Sequence, residues 1–160
     1  MFSLYRLLSF TVLSLVLLAA ACAGQPRGAE GTAATGDTMS ITITIDNGKG
    51  THVLSAALAD NKSAAAFAGL LKKGAVTVAM RGYGGFEQVG TLPQGLPRSD
   101  TQIATVPGDI MLYQGNQVVM FYGTNAWAYT RLGKITGKAQ DELRAILGSG
   151  DVTATFSLAQ

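Results

Sequence analysis

Cysteine and histidine are nearly missing: the 160 residues hold one of each, Cys22 and His52. A lone cysteine has no disulfide partner within the chain. One histidine beside one cysteine cannot assemble the ligand sets that hold zinc, so no metal and no cofactor is expected. Hydrolytic machinery is short of parts as well. A Ser-His-Asp triad would have to use His52, which falls on a predicted strand and is expected to be half-exposed there, and no Gly-x-Ser-x-Gly elbow is present. Charge is scarce, at 14% of residues with a net of +2. Without the first 21 residues, 11 basic face 10 acidic side chains, and the clustered Lys and Arg of a nucleic-acid footprint are absent. The one basic doublet, Lys72-Lys73, reads as a solvated helix end. Nucleotide loops fail on spacing. Gly82-Tyr83-Gly84-Gly85 follows a strand, but Glu87 and the lack of a following helix break the phosphate-loop pattern, and the run from Gly133 to Lys138 is one residue short of a Walker A loop and continues with Ala139 instead of Ser or Thr. The adjacent acids Asp141-Glu142 sit at a predicted helix start, where they suit the dipole.

What is present is an apolar chain, 48% hydrophobic, with enough material for one compact core. Its start reads as a targeting signal: a short n-region ending at Arg6, an apolar run from Leu7 to Leu18, and small residues Ala19-Ala20-Ala21. The run is too short for a comfortable membrane span. Leu18-Ala19-Ala20-Ala21-Cys22 resembles a bacterial lipobox, in which the Cys thiol is acylated and becomes the first residue. That would give a partnerless cysteine a purpose and make a membrane the partner, since each buried methylene adds roughly 0.8 kcal/mol and two or three acyl chains anchor stably. The alternative is ordinary secretion with cleavage at Ala21 or Ala23. Residues 22–38 hold no large apolar side chain beyond Cys22 and are expected to be a tether. Export is expected on either reading, and with lipidation the protein is expected in the cell envelope, anchored at a membrane surface.

The folded part is expected over 39–158. Ile41, Ile43 and Ile45 alternate with Ser40, Thr42 and Thr44, as a half-buried strand requires. Asn47-Gly48-Lys49-Gly50 turns the chain into a second strand, Thr51 to Leu58. Asp60 or Asn61 caps a helix over 63–71, and Gly74 stops it before a strand at 76–80. Residues 81–105 read mainly as loop, with a short strand near 86–92. Residues 109–122 predict a hairpin turning at Gly115-Asn116. Both of its strands are apolar at nearly every position, so both faces are expected to be covered. A strand near 130–135, a helix over 139–147 and an alternating strand over 152–158 complete the chain. Seven or eight strands with two short helices fit a closed barrel stoppered at both ends better than a layered sheet.

Tyr83-Gly84-Gly85-Phe86-Glu87, Leu96-Pro97-Arg98, the run from Pro107 to Asn116, Phe121-Tyr122-Gly123 and Tyr129-Thr130-Arg131-Leu132-Gly133-Lys134-Ile135 together resemble the small bacterial cyclophilin-like proteins. The resemblance spans most of 39–158. It implies a mainly β fold, a closed eight-stranded cyclophilin-like β-barrel with two short helices capping the ends. It does not by itself transfer peptidyl-prolyl isomerase activity. The chain departs from the family pattern where Gln88 replaces a common Lys and Gly82 a common Asp, and it has no Phe-His-Arg sequence of the enzymatic cyclophilins. Arg131 and Arg81 are the candidates for a polarising group if isomerase activity exists. Tyr83, Glu87, Trp127 and Arg131 are the candidates for a groove that binds a small molecule or peptide, with the glycines of 82–85 allowing close approach of a partner. The competing reading packs Trp127 and Tyr129 over a barrel end and pairs Arg131 with a carboxylate such as Glu87. A surface scaffold without a small ligand is the third function class the sequence allows.

Overall fold

The structure, a computed structural model, describes residues 38–160. The leader, Cys22 and nearly all of the tether lie outside the described residues.

Among the described residues nine strands and two helices follow one another as β1 (Ser40–Asp46), β2 (Thr51–Leu58), α1 (Lys62–Leu71), β3 (Val76–Tyr83), β4 (Glu87–Thr91), β5 (Thr101–Ala104), β6 (Asp109–Tyr113), β7 (Gln117–Phe121), β8 (Ala126–Thr136), α2 (Gln140–Leu147) and β9 (Val152–Leu158). The strands pair in the order β2-β1-β9-β3-β4-β7-β6-β8, and β8 returns to β2, closing an antiparallel eight-stranded barrel. The closing seam aligns Ser55–Leu58 with Gly133–Thr136. β5 stands outside this ring and pairs only with the first half of β8.

Period-two alternation fixes the inner face. Ile41, Ile43 and Ile45 of β1 are fully buried, as are Ile110, Leu112, Val118 and Met120 of the β6–β7 hairpin and Phe156 of β9. The same hairpin buries its other face as well. Met111, Val119 and Phe121 form a second apolar cluster with Tyr129, against which Phe86, Val89, Ile103 and Tyr113 pack. The expectation of a hairpin covered on both faces is met, and the outer cover comes from neighbouring loops and the β5–β8 ribbon.

The helices close opposite ends. α1 begins just past β2. Its cap is Asn61, whose Oδ1 accepts from the Ala64 N–H at 2.9 Å and whose Nδ2 donates to the Arg131 carbonyl at 2.8 Å. From this helix Phe67 enters the barrel and meets Phe156 edge-on, with ring centroids 5.6 Å apart. α2 lies at the other end, near the β1–β2 turn, where Asn47 Nδ2 donates to the Ile146 carbonyl at 3.1 Å. Gln88 points inward from β4, and its Nε2 donates to the carbonyls of Leu147 and Gly150. Gln88 faces the interior and Glu87 the outer cluster, so these neighbours on β4 serve opposite faces of the barrel wall. His52 is half-buried on β2, 3.3 Å from the Asn47 amide, and Lys72-Lys73 is an exposed helix end.

Several details differ from the sequence reading, and one is that β3 runs on to Tyr83 through residues read as loop. β5 lies within the stretch read as loop; its four residues are short and mostly exposed, and only pairing with β8 makes them a strand. β8 is longer than expected because β5 supports its first half. The β6–β7 turn centres on Gln114-Gly115, with φ of 51° and 81°, and not on Gly115-Asn116. Pairing of Tyr113 with Gln117 leaves Asn116 as the extra residue of a three-residue connection.

Candidate binding site

The four groove candidates do not converge. Tyr83 and Glu87 are cross-strand partners on β3 and β4, and Glu87 in turn faces Phe121 on β7. Tyr83 is 66% exposed and touches Phe86 edge-on. In the glycine loop beside it, the space next to Gly84 is already taken. Gly84 and Gly85 take the positive φ a tight hairpin needs, and a Cβ on Gly84 would lie 2.1 Å from the Phe86 ring. The close approach is thus made by the chain's own Phe86. Trp127 is 56% exposed on β8, opposite Ile103 of β5. Arg81 and Arg131 lie in one row of cross-strand partners, Arg81–Val89–Val119–Met111–Arg131. Four strand spacings separate them, roughly 19 Å along the sheet, so they cannot serve one reacting centre together.

Arg131 does not pair with Glu87. Its guanidinium donates to Asp109 Oδ1 at 2.9 Å, and the Lys134 ammonium lies 3.6 Å from the same oxygen. Asp109 is 1% exposed, and its Oδ2 accepts from the Val106 N–H at 3.0 Å. A buried carboxylate needs such partners. The Pro107-Gly108 turn supplies the geometry, since Gly108 at φ 91° lets its N–H reach the Phe121 carbonyl. A register shift between Ile110 and Met111 against β8 brings Arg131 and Lys134 to the same carboxylate.

Glu87 has a different setting. It is 6% exposed beneath the outer aromatic cluster, and its carboxylate accepts only a long bond, 3.4 Å, from the Tyr129 hydroxyl. Asn125 Nδ2 donates to that hydroxyl at 3.1 Å. Burial pushes the Glu87 carboxyl from 4.5 up to about 7, against the weaker pull of the Tyr129 bond. Burial, then the neighbouring Glu87 charge, pushes the Tyr129 phenol to about 12. The raised Glu87 value has a definite consequence. Between pH 4.5 and 7 the folded protein keeps a proton that the unfolded chain has lost, so stability is full below 4.5 and falls as pH rises through about 7. The fall expected from this group is about 2–3 kcal/mol. Glu87→Gln is neutral at every pH and still accepts from Tyr129. Urea denaturation at several pH values is expected to show the variant matching the parent near pH 4 and exceeding it by about 2 kcal/mol near pH 8. Parallel profiles would contradict a protonated Glu87.

Beside the Asp109–Arg131 pair opens a cleft that no motif along the chain marks. It measures about 670 Å³ and is walled by Asn61, Lys62 and Ser63 at the start of α1, by Pro97, Arg98 and Ser99 of the β4–β5 connection, by Thr101 and Ile103 of β5, and by Thr130 and Arg131 of β8. The walls are tied to one another. Asn61 bonds the Arg131 carbonyl, Thr130 Oγ1 accepts from the Ser99 N–H at 2.8 Å and donates to Asp100 at 2.6 Å, and Arg98 pairs with Asp100 at 2.6 Å. Of the four groove candidates only Arg131 lines it; Trp127 adjoins it through Ile103, and Tyr83 and Glu87 lie elsewhere. Among the described residues no three of His, Cys, Asp and Glu gather closely enough to hold a metal ion.

A closed antiparallel barrel of eight strands with a helix at each end is the architecture of the cyclophilin-like class. The family model for the cyclophilin-like family matches residues 43–157, and the chain belongs to that family. No curated protein matches it.

Proposed function

We propose that this is an exported, lipid-anchored cyclophilin-like protein that binds a small molecule or peptide and performs no chemistry on it. The observation that carries the binding reading is the cleft of about 670 Å³, within the size range of small-molecule sites; eight of its ten lining residues are polar or charged. Its walls are cross-linked by hydrogen bonds, so little ordering is left to occur on binding. The isomerase alternative has less to draw on: Arg81 stands exposed at the far margin of the outer face, and Arg131 has its guanidinium engaged by Asp109. Anchoring rests on the sequence alone, on Cys22 behind an apolar leader. Acylated Cys22 would hold the barrel at a membrane surface, with residues 23–38 as spacer.

A thermal-shift screen of peptides and metabolites tests the binding reading. A ligand at a hundred times its Kd stabilises by about 2.7 kcal/mol, a rise of roughly 8 °C for a domain of this size. A melting temperature unmoved across the whole screen contradicts the proposal. Anchoring is tested separately by cell fractionation. Cys22→Ser is expected to move the protein from the membrane to the soluble fraction, and a variant that stays membrane-bound contradicts lipidation.

A further inference from the structure

We propose that Glu87 is a proton-operated latch: its neutral carboxyl lets the β5–β8 ribbon lie closed over the outer cluster, and ionisation of that carboxyl releases the ribbon. The latch is independent of any ligand. Its bearing on the cleft rests on the binding reading, because Thr101 and Ile103 of β5 belong to the cleft wall.

The ribbon is separable from the barrel. The ring of eight strands closes without β5, whose four mostly exposed residues pair with Ala126–Tyr129 of β8. The apolar contacts of the ribbon, through Ile103 and Tyr129, are with the outer cluster, which is distinct from the cluster inside the barrel. A segment with few buried contacts and an exposed ladder opens at lower cost than the core.

The polar tie that holds the ribbon down ends on Glu87. Thr105, just past β5, and Asn125, just before β8, bind each other. The Thr105 N–H donates to the Asn125 carbonyl at 2.7 Å, and the Asn125 N–H donates to Thr105 Oγ1 at 3.0 Å. Asn125 Nδ2 donates to the Tyr129 hydroxyl, and that hydroxyl donates to Glu87 Oε2. Glu87 sits on β4 within the ring, paired to Phe121 of β7, so the chain of bonds ties the ribbon to the barrel wall.

That wall gives an ionised Glu87 very little. Asp109, the other buried carboxylate among the described residues, has Arg131, Lys134 and the Val106 N–H around it. Glu87 has the one bond of 3.4 Å. On β3, its cross-strand partner Tyr83 stands mostly in solvent, and Arg81 is exposed. After β7, burial raises the Tyr122 phenol, Arg144 of α2 lowers it and the Glu87 charge raises it again. From β6, Tyr113 meets Tyr129 edge-on at 5.9 Å. Neither Arg81 nor Arg144 forms an ion pair with Glu87 among the described residues. A buried carboxylate without a cation is neutral or must draw in water, and here water reaches it by lifting the ribbon. Burial raises this carboxyl to about 7, which puts the change near neutral pH.

The test is amide hydrogen exchange on the full chain in a non-ionic detergent, near pH 5, 6, 7 and 8, for the parent and Glu87→Gln. Dividing out the intrinsic rate at each pH leaves the protection alone. In the parent, amides of 101–105 and 125–129 are expected to be less protected than those of Ile43 and Val118 in the barrel. Their protection is expected to fall about forty-fold between pH 5 and 7 and only about two-fold more by pH 8. In Glu87→Gln the ribbon is expected to show the same protection at every pH. Ribbon amides as protected as the barrel throughout would mean opening only with the whole fold, and would overturn the latch. A parent ribbon that opens locally but independently of pH would overturn it too, as would a pH dependence retained in Glu87→Gln. No ligand is present, so these outcomes hold whether or not the cleft binds one. A compound from the thermal screen that binds equally at pH 5 and 8, while the ribbon opens, overturns the link to the cleft alone.

Discussion

Gly133→Ala is expected to cost about 3 kcal/mol or more, a large loss for one methyl group. Gly133 lies opposite Leu58 in the seam where β8 meets β2. A Cβ there would sit 2.5 Å from the Ala57 carbonyl oxygen and 3.2 Å from the Leu58 Cα. These are backbone atoms, so no side chain can swing aside. The strands must separate, and the pairing of Ser55–Leu58 with Gly133–Thr136 is strained or lost. Overpacking usually costs about 1–3 kcal/mol, and unpaired backbone groups in the seam add to it. Gly69→Ala is the control. It lies within α1 with nothing within 4 Å of an added Cβ, and it is expected to stabilise by about 0.5–1 kcal/mol. Guanidinium denaturation of both variants measures the difference. A Gly133→Ala protein within 1 kcal/mol of the parent would mean that the barrel does not close through this seam.

Phe67→Ala is expected to cost about 3–5 kcal/mol. The side chain is fully buried and meets Phe156, also fully buried, at an interplanar angle of 73°. Truncation removes the main apolar group by which α1 closes its end of the barrel and leaves a cavity that the pleated wall cannot collapse to fill. Phe67→Leu keeps most of the volume and is expected to lose less than half as much. The two values, from urea midpoints with the slope unchanged, separate loss of the stopper from general disruption. A loss below 1 kcal/mol for Phe67→Ala would remove α1 from the core.

Much of the barrel can be read from local pattern. The Ile41-Ile43-Ile45 alternation marks β1 and its buried face, and the apolar run on both sides of Gly115 announces a hairpin with no wet face. Those signals survive because burial on one or both faces writes itself into consecutive residues. β5 left no such mark: Thr101-Gln102-Ile103-Ala104 is a strand because β8 offers it an edge. The partner of Arg131 was equally hidden. Glu87 and Asp109 are both acids in strongly patterned segments, and only the register shift in β6–β8 decides between them. The cleft was the least legible part. It joins Asn61–Ser63 to Arg98 and to Arg131, 70 residues beyond Asn61, and no spacing along the chain encodes that meeting. Aromatic side chains fill cores and grooves alike, and here Phe121 and Tyr129 went to the outer cluster, while Tyr83 and Trp127 stayed in solvent at separate places.

A crystal structure of the protein with the tightest compound from the thermal screen would test the binding reading most directly. The expected result is a ligand seated in the cleft between the start of α1, the β4–β5 connection and Arg131. A ligand bound instead over Tyr83 and Phe86, with this cleft filled by solvent alone, would contradict it.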